Sequence, residues 1–141
     1  MQKEGERVKK LKNGLFLLFI LSILSGCAEK EKFIVYGSPQ NEEKLEAALK
    51  EEKYIDRSTV IQQEDKMLVT VQIKPWDKWK TAKLEKKLQK KFDDLYPDTD
   101  VTVSADYKLF YEANKVKKEG LKGKEIEDRI KDLQKLAKEE A

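Results

Sequence analysis

"RSTVIQQEDKMLVTVQIKP", Arg57 to Pro75, is the stretch from which the architecture follows. In its second half Met67, Val69, Val71 and Ile73 alternate with Leu68, Thr70 and Gln72. A repeat of two is that of a β-strand, whose successive side chains point to opposite faces. Pro75 ends the run, because it has no N–H to give to a sheet ladder. Upstream, Thr59, Val60 and Ile61 are β-branched, and residues 63–66 are polar and turn-like. Together these features predict a hairpin.

Helical spacing lies on both sides of the hairpin. In "SPQNEEKLEAALKEE", Leu45, Ala48 and Leu49 fall on one face, and Glu42 and Glu43 sit early, where the helix dipole favours acids. Ser38 as cap and Pro39 in the first turn predict a helix from about Pro39 to Glu52. After the hairpin, Leu84, Leu88, Phe92 and Leu95 make one apolar stripe, with Asp77 as the expected cap and Pro97 as the stop. "DVTVSAD" gives a short strand with Val101 and Val103 facing one way. Asp106 then caps a helix carrying Leu109, Phe110, Ala113 and Val116. Gly120 and Gly123 interrupt it, and Ile126, Ile130, Leu133 and Ala137 mark a last helix over about residues 124–139. That helix has two expected destinations, the domain itself or a partner. "FIVYG", Phe33 to Gly37, reads as a strand or an extended linker.

The expected fold is α+β: a small antiparallel-type sheet with helices on one face, followed by two C-terminal helices. The core is αββαβ, or a ferredoxin-like βαββαβ if residues 33–36 pair.

The N-terminal region has another character. Residues 15–24 carry no charge and, as a helix rising ~1.5 Å per residue, would cover about half of a bilayer core. Lys3, Arg7, Lys9, Lys10 and Lys12 precede them, and Ser25 and Gly26 follow. This is the layout of a secretory signal peptide. "LSGC", Leu24 to Cys27, resembles the lipobox of bacterial lipoproteins, in which small residues admit the protease and the thiol accepts a diacylglycerol. Cleavage is expected between Gly26 and Cys27, with Cys27 as the lipid attachment site and first residue of the mature chain. Residues 27–32 then form a tether, 33–119 an α+β domain, and 120–141 a C-terminal helix after the glycine joint.

Charge and composition narrow the function. Of 30 basic and 27 acidic groups, five and two lie in residues 1–26, which leaves 25 of each sign. The chain's net charge of +3 therefore belongs to the export signal. A balanced body has no global basic footprint for nucleic acid. There is no histidine, the commonest general base and metal ligand, and the single cysteine cannot form an internal disulfide. Asp98 and Asp100 lack the glycine and closing glutamate of a calcium loop, since Val103 and Leu109 stand there. No nucleotide-binding or nucleophile motif occurs. No cofactor, metal, nucleic acid or small-molecule substrate is expected, and no catalytic residue is assigned.

Lysines crowd the second helix, where Lys83, Lys87 and Lys90 flank the apolar stripe as candidate contacts to an anionic surface. The bland reading is a solvated face, with Lys90 and Asp94 paired at i, i+4. Trp76 and Trp79 are expected to cover the open end of the small core.

With lipobox, hairpin and "VTVSADYKLFYEANKVKKEGLKG" in order, residues 45–136 resemble the YhcN/YlaJ-type sporulation lipoproteins of spore-forming bacilli. The resemblance is densest over Val101–Gly123, although Tyr107 stands where proline is usual and the ending differs. It implies a membrane-anchored protein associated with spore formation or germination, without known catalytic residues. The expectation is thus a lipid-anchored, extracytoplasmic interaction module on the outer face of the cytoplasmic membrane, with a protein partner. The alternatives are a carboxylate-based hydrolase of cell wall or lipid and an anionic-surface binder.

Overall fold

In the computed structural model, residues 9–10, 12–15 and 31–140 are described. The first two short stretches are helical; residues 31–140 form a body of their own. Among the described residues, no helix is long and apolar enough to cross a membrane. Gly26 and Cys27 lie outside the described residues.

The body runs β1 (Phe33–Gly37), α1 (Glu42–Lys50), β2 (Ile55–Gln63), β3 (Lys66–Ile73), a 3-10 segment (Pro75–Lys80), α2 (Thr81–Leu95), β4 (Asp100–Ser104), α3 (Tyr107–Glu119) and α4 (Lys124–Glu139). The sheet order is β1-β2-β3-β4. The hairpin pairs Gln63 with Lys66 across Glu64, which holds the left-handed conformation at φ 51°. The α+β class, the αββαβ core and the two C-terminal helices expected from the sequence are all present.

Residues 33–37 do pair, but not in the ferredoxin-like manner. β1 lies parallel to β2, and β3 pairs directly and in parallel with β4. A ferredoxin-like sheet would seat β1 between β3 and β4; here that place is closed. The sheet is therefore mixed, with an antiparallel centre. The end of β1 is drawn onto β2 at Gly37, where φ is +97° and a Cβ would collide with the Gln62 carbonyl oxygen. The next residue, Ser38, donates its N–H to that same oxygen at 2.7 Å. Gln40 N–H reaches Gln62 Oε1 at 3.3 Å. These contacts occupy residues 38–40, so the helix starts later than Pro39. Its cap is Asn41, whose Oδ1 accepts from Lys44 N–H at 2.9 Å.

The two helices of the αββαβ core share one face of the sheet, as expected, and the two C-terminal helices cover the other. α1 and α2 bury Leu45, Leu49, Leu88 and Phe92 against Val60, Met67, Val69 and Val71. On the other face α3 and α4 bury Leu109, Val116, Ile130 and Leu133 against Ile61 and Leu68. Leu68, on the off-beat of the alternation, is what makes that second face apolar. The last helix thus packs on its own sheet, and buried Gln134 locks it there. Its Nε2 donates to the Met67 carbonyl at 3.2 Å and the Asp100 carbonyl at 3.0 Å.

The topology has an unusual consequence. Both crossover helices lie on one face and both crossovers advance in the same direction across the sheet, yet the two parallel pairs run oppositely. The crossovers therefore have opposite hands, and one breaks the right-handed preference of βαβ units.

Candidate functional site

Lys83, Lys87 and Lys90 are all exposed on α2. They do not act alike. Lys87 Nζ lies 3.1 Å from Glu52 and 5.6 Å from the centre of the Tyr54 ring, so it belongs to a local cluster. Among the described residues, Lys83 and Lys90 make no ion pair, and the expected Lys90–Asp94 pair does not form. The stripe between them closes on the core as expected.

The cluster around Glu52 was invisible to sequence spacing, since its members lie 35 to 40 residues apart, on either side of the hairpin. Lys91 Nζ contacts Glu51 at 3.0 Å, Glu52 at 3.0 Å and the Ala48 carbonyl at 2.8 Å. A cation at the end of α1 suits the negative pole of that helix. Burial alone would raise the Glu52 pKa, but the hydrogen bonds and charges of Lys91 and Lys87 outweigh it and hold the carboxyl below its ordinary value. Burial would likewise lower Lys91, yet Glu51 and Glu52 keep it above the usual lysine value. Burial and the Glu52 charge push the Tyr54 phenol well up. Both members of the ion pair are held in their charged forms. That is the reverse of the poised pKa that proton transfer requires, and the cluster is a clamp between α1 and α2.

A second constellation lies along β4. Gln89 on α2 donates from Nε2 to the Val101 carbonyl at 2.9 Å and accepts from Val103 N–H at 2.7 Å. Glu85, one turn earlier, accepts from Ala105 N–H at 2.8 Å. These two side chains occupy backbone groups that an adjoining strand would otherwise use, and so close one edge of the sheet. The outer edge of β1 is the other.

The third constellation is aromatic. Trp76 is 71% and Trp79 80% exposed, which corrects the expectation that they cover the core. Ile73, Tyr54 and Ile55 fill that role instead. The reason is local. Pro75–Lys80 folds as a 3-10 segment with no buried residue, and α2 begins only at Thr81, so Asp77 is not its cap. Instead, Thr81 Oγ1 donates to the Lys78 carbonyl at 2.6 Å. Tyr107 is 71% and Tyr111 53% exposed on α3, which Asp106 caps as expected by accepting from Leu109 N–H at 3.0 Å. Ile73, Pro75, Lys78, Thr81, Ala105 and Tyr107 line a groove of about 410 Å³ between the 3-10 segment and the start of α3. A groove of similar size lies at the opposite end, between Tyr36, Gly37, Pro39 and the Leu121–Gly123 joint.

No protein-family model, curated protein or solved structure matches the chain.

Proposed function

We propose that this protein is a lipid-anchored, extracytoplasmic module that works by binding rather than by catalysis. The observation that carries the reading is the run from Lys3 to Cys27: basic residues, an uncharged stretch, two small residues and the only cysteine. A diacylglyceryl group on Cys27 would hold an electrically balanced, hydrophilic body at the outer face of the cytoplasmic membrane, since two chains anchor stably where one does not. The resemblance to the YhcN/YlaJ-type lipoproteins supports a place in spore formation or germination.

A protein partner is part of the proposal. With the β4 edge occupied by Gln89 and Glu85, the outer edge of β1 is the strand that a partner peptide could extend. Metabolic labelling with palmitate tests the anchor. Label on the wild-type chain and none on Cys27→Ala is expected; equal labelling of both would refute the assignment. Crosslinking in intact membranes then identifies the partner.

A further inference from the structure

One end of the sheet collects features that neither the core nor the clamp explains. The strand registers place the start of β1, the start of β2 and the ends of β3 and β4 at this end. Trp76 follows β3 by three residues and Tyr107 follows β4 by three. The groove lined by Pro75, Lys78 and Tyr107 shows that the two exits adjoin. This end thus presents both of the chain's tryptophans and Tyr107, with Tyr111 one turn further along α3.

Cations accompany the rings. Lys80 Nζ stands 4.6 Å from the centre of the Trp79 ring, and Lys115 Nζ 4.8 Å from that of Tyr111. Lys74 and Lys78 flank Trp76, and among the described residues neither makes an ion pair. Of the acids at this end, Asp77 lies 3.6 Å from Lys80, Asp56 3.8 Å from Arg57, Glu140 3.1 Å from Lys108 and Glu112 2.8 Å from Lys115, and Asp106 is taken up as a helix cap. Exposed indoles and phenols mixed with uncommitted lysines are the chemistry of the bilayer interface, where amphipathic rings sit at headgroup level and lysines meet anionic lipid.

The chain's own covalent path leaves this surface within reach of an anchor. The body is entered at Glu31 and Lys32: Lys32 gives its carbonyl to Ser58 N–H, three residues into β2, and Glu31 lies 3.5 Å from Lys117 in the last turn of α3. From Cys27 to Lys32 are five peptide units, which reach at most ~18 Å at ~3.3–3.6 Å each. A tether of that length lets this end reach the membrane.

We infer that the aromatic end of the sheet docks on the anionic lipid surface, with Trp76 and Trp79 entering the headgroup region and Lys74 and Lys78 meeting lipid phosphates. The inference rests on the lipid-anchor reading and adds an orientation. The sheet stands end-on to the bilayer, and the opposite groove and much of the outer edge of β1 face away from it.

Trp76 and Trp79 are the only tryptophans in the chain, so intrinsic fluorescence reports on this end alone. The acylated full-length protein is reconstituted into phosphatidylglycerol vesicles with or without brominated acyl chains. Flotation reports the anchor; quenching and a blue-shifted emission report docking. Flotation with quenching is the expected result, and Lys74→Glu with Lys78→Glu should lower the docked-to-undocked ratio by about tenfold or more, as expected for lysines beside an anionic leaflet. Flotation with solvent-like, unquenched emission overturns the docking and leaves the anchor standing. Tryptophans shielded from aqueous iodide in native membranes but not quenched by brominated lipid assign this end to a protein instead, and also overturn it. Failure of the acylated chain to float removes the anchor reading, and the docking falls with it.

Discussion

Gly37 carries more of the topology than its size suggests. At φ +97°, with the Gln62 carbonyl where a Cβ would be, only glycine lets β1 end against β2. Gly37→Ala should cost roughly 2–3 kcal/mol, from left-handed strain and a backbone clash. Denaturant midpoints measure the loss, and faster hydrogen exchange should concentrate at β1 amides. Glu52 makes a pH prediction. Its folded pKa is depressed, so its contribution is complete above the unfolded value, near ~4.3, and is lost as pH falls through the folded value. Wild type should exceed Glu52→Gln in stability at neutral pH, and the gap should close in acid. Parallel stability curves for the two proteins across that range would count against the clamp. At this scale the sequence was legible where the chemistry is local. Asp106 caps the helix it precedes, because capping needs only a residue and the N–H groups just after it. Gln89, Lys91 and Gln134 were not, because their partners lie 12 to 67 residues away.

Elements behave in the same way one level up. The apolar stripe on α2 and the spacing of Ile126, Ile130 and Leu133 on α4 found both helices, although Asp77 as cap put the start of α2 three residues early. Neither pattern says what the stripe meets. Whether α4 belonged to the domain or to a partner was open until Ile61 and Leu68 were seen beneath it. Ile130→Ala, at a fully buried site, should cost about 2–5 kcal/mol. A loss within that range in thermal or denaturant melts marks α4 as core; a change below about 0.5 kcal/mol, the usual limit for surface sites, would mark it as a detachable arm. For β4, joint replacement of Glu85 and Gln89 by alanine should open the edge. Concentration-dependent self-association is then expected in sedimentation velocity, with the wild type remaining unassociated under the same conditions.

For the whole molecule, α1 and α2 on one face and α3 and α4 on the other share a single four-stranded sheet. β2 and β3 are lined by core on both sides, so the two layers should melt together in one transition that coincides by far-ultraviolet circular dichroism and hydrogen exchange. Separate transitions for the α3–α4 layer would refute that coupling. The order of the helices and of β2, β3 and β4, and the apolar side of each helix, could be read from a dozen residues at a time, because they follow from backbone periodicity and capping, whereas Phe33–Gly37 stayed open between strand and linker and the 3-10 segment went unforeseen. The charge balance of residues 27–141 and the uncharged run at residues 15–24 were likewise plain from composition. Strand partners, the hand of the crossovers, the covering of the second face and the exposure of Trp76 and Trp79 were not. Each depends on which distant segment occupies the space opposite, and a residue's own neighbours along the chain do not specify that choice.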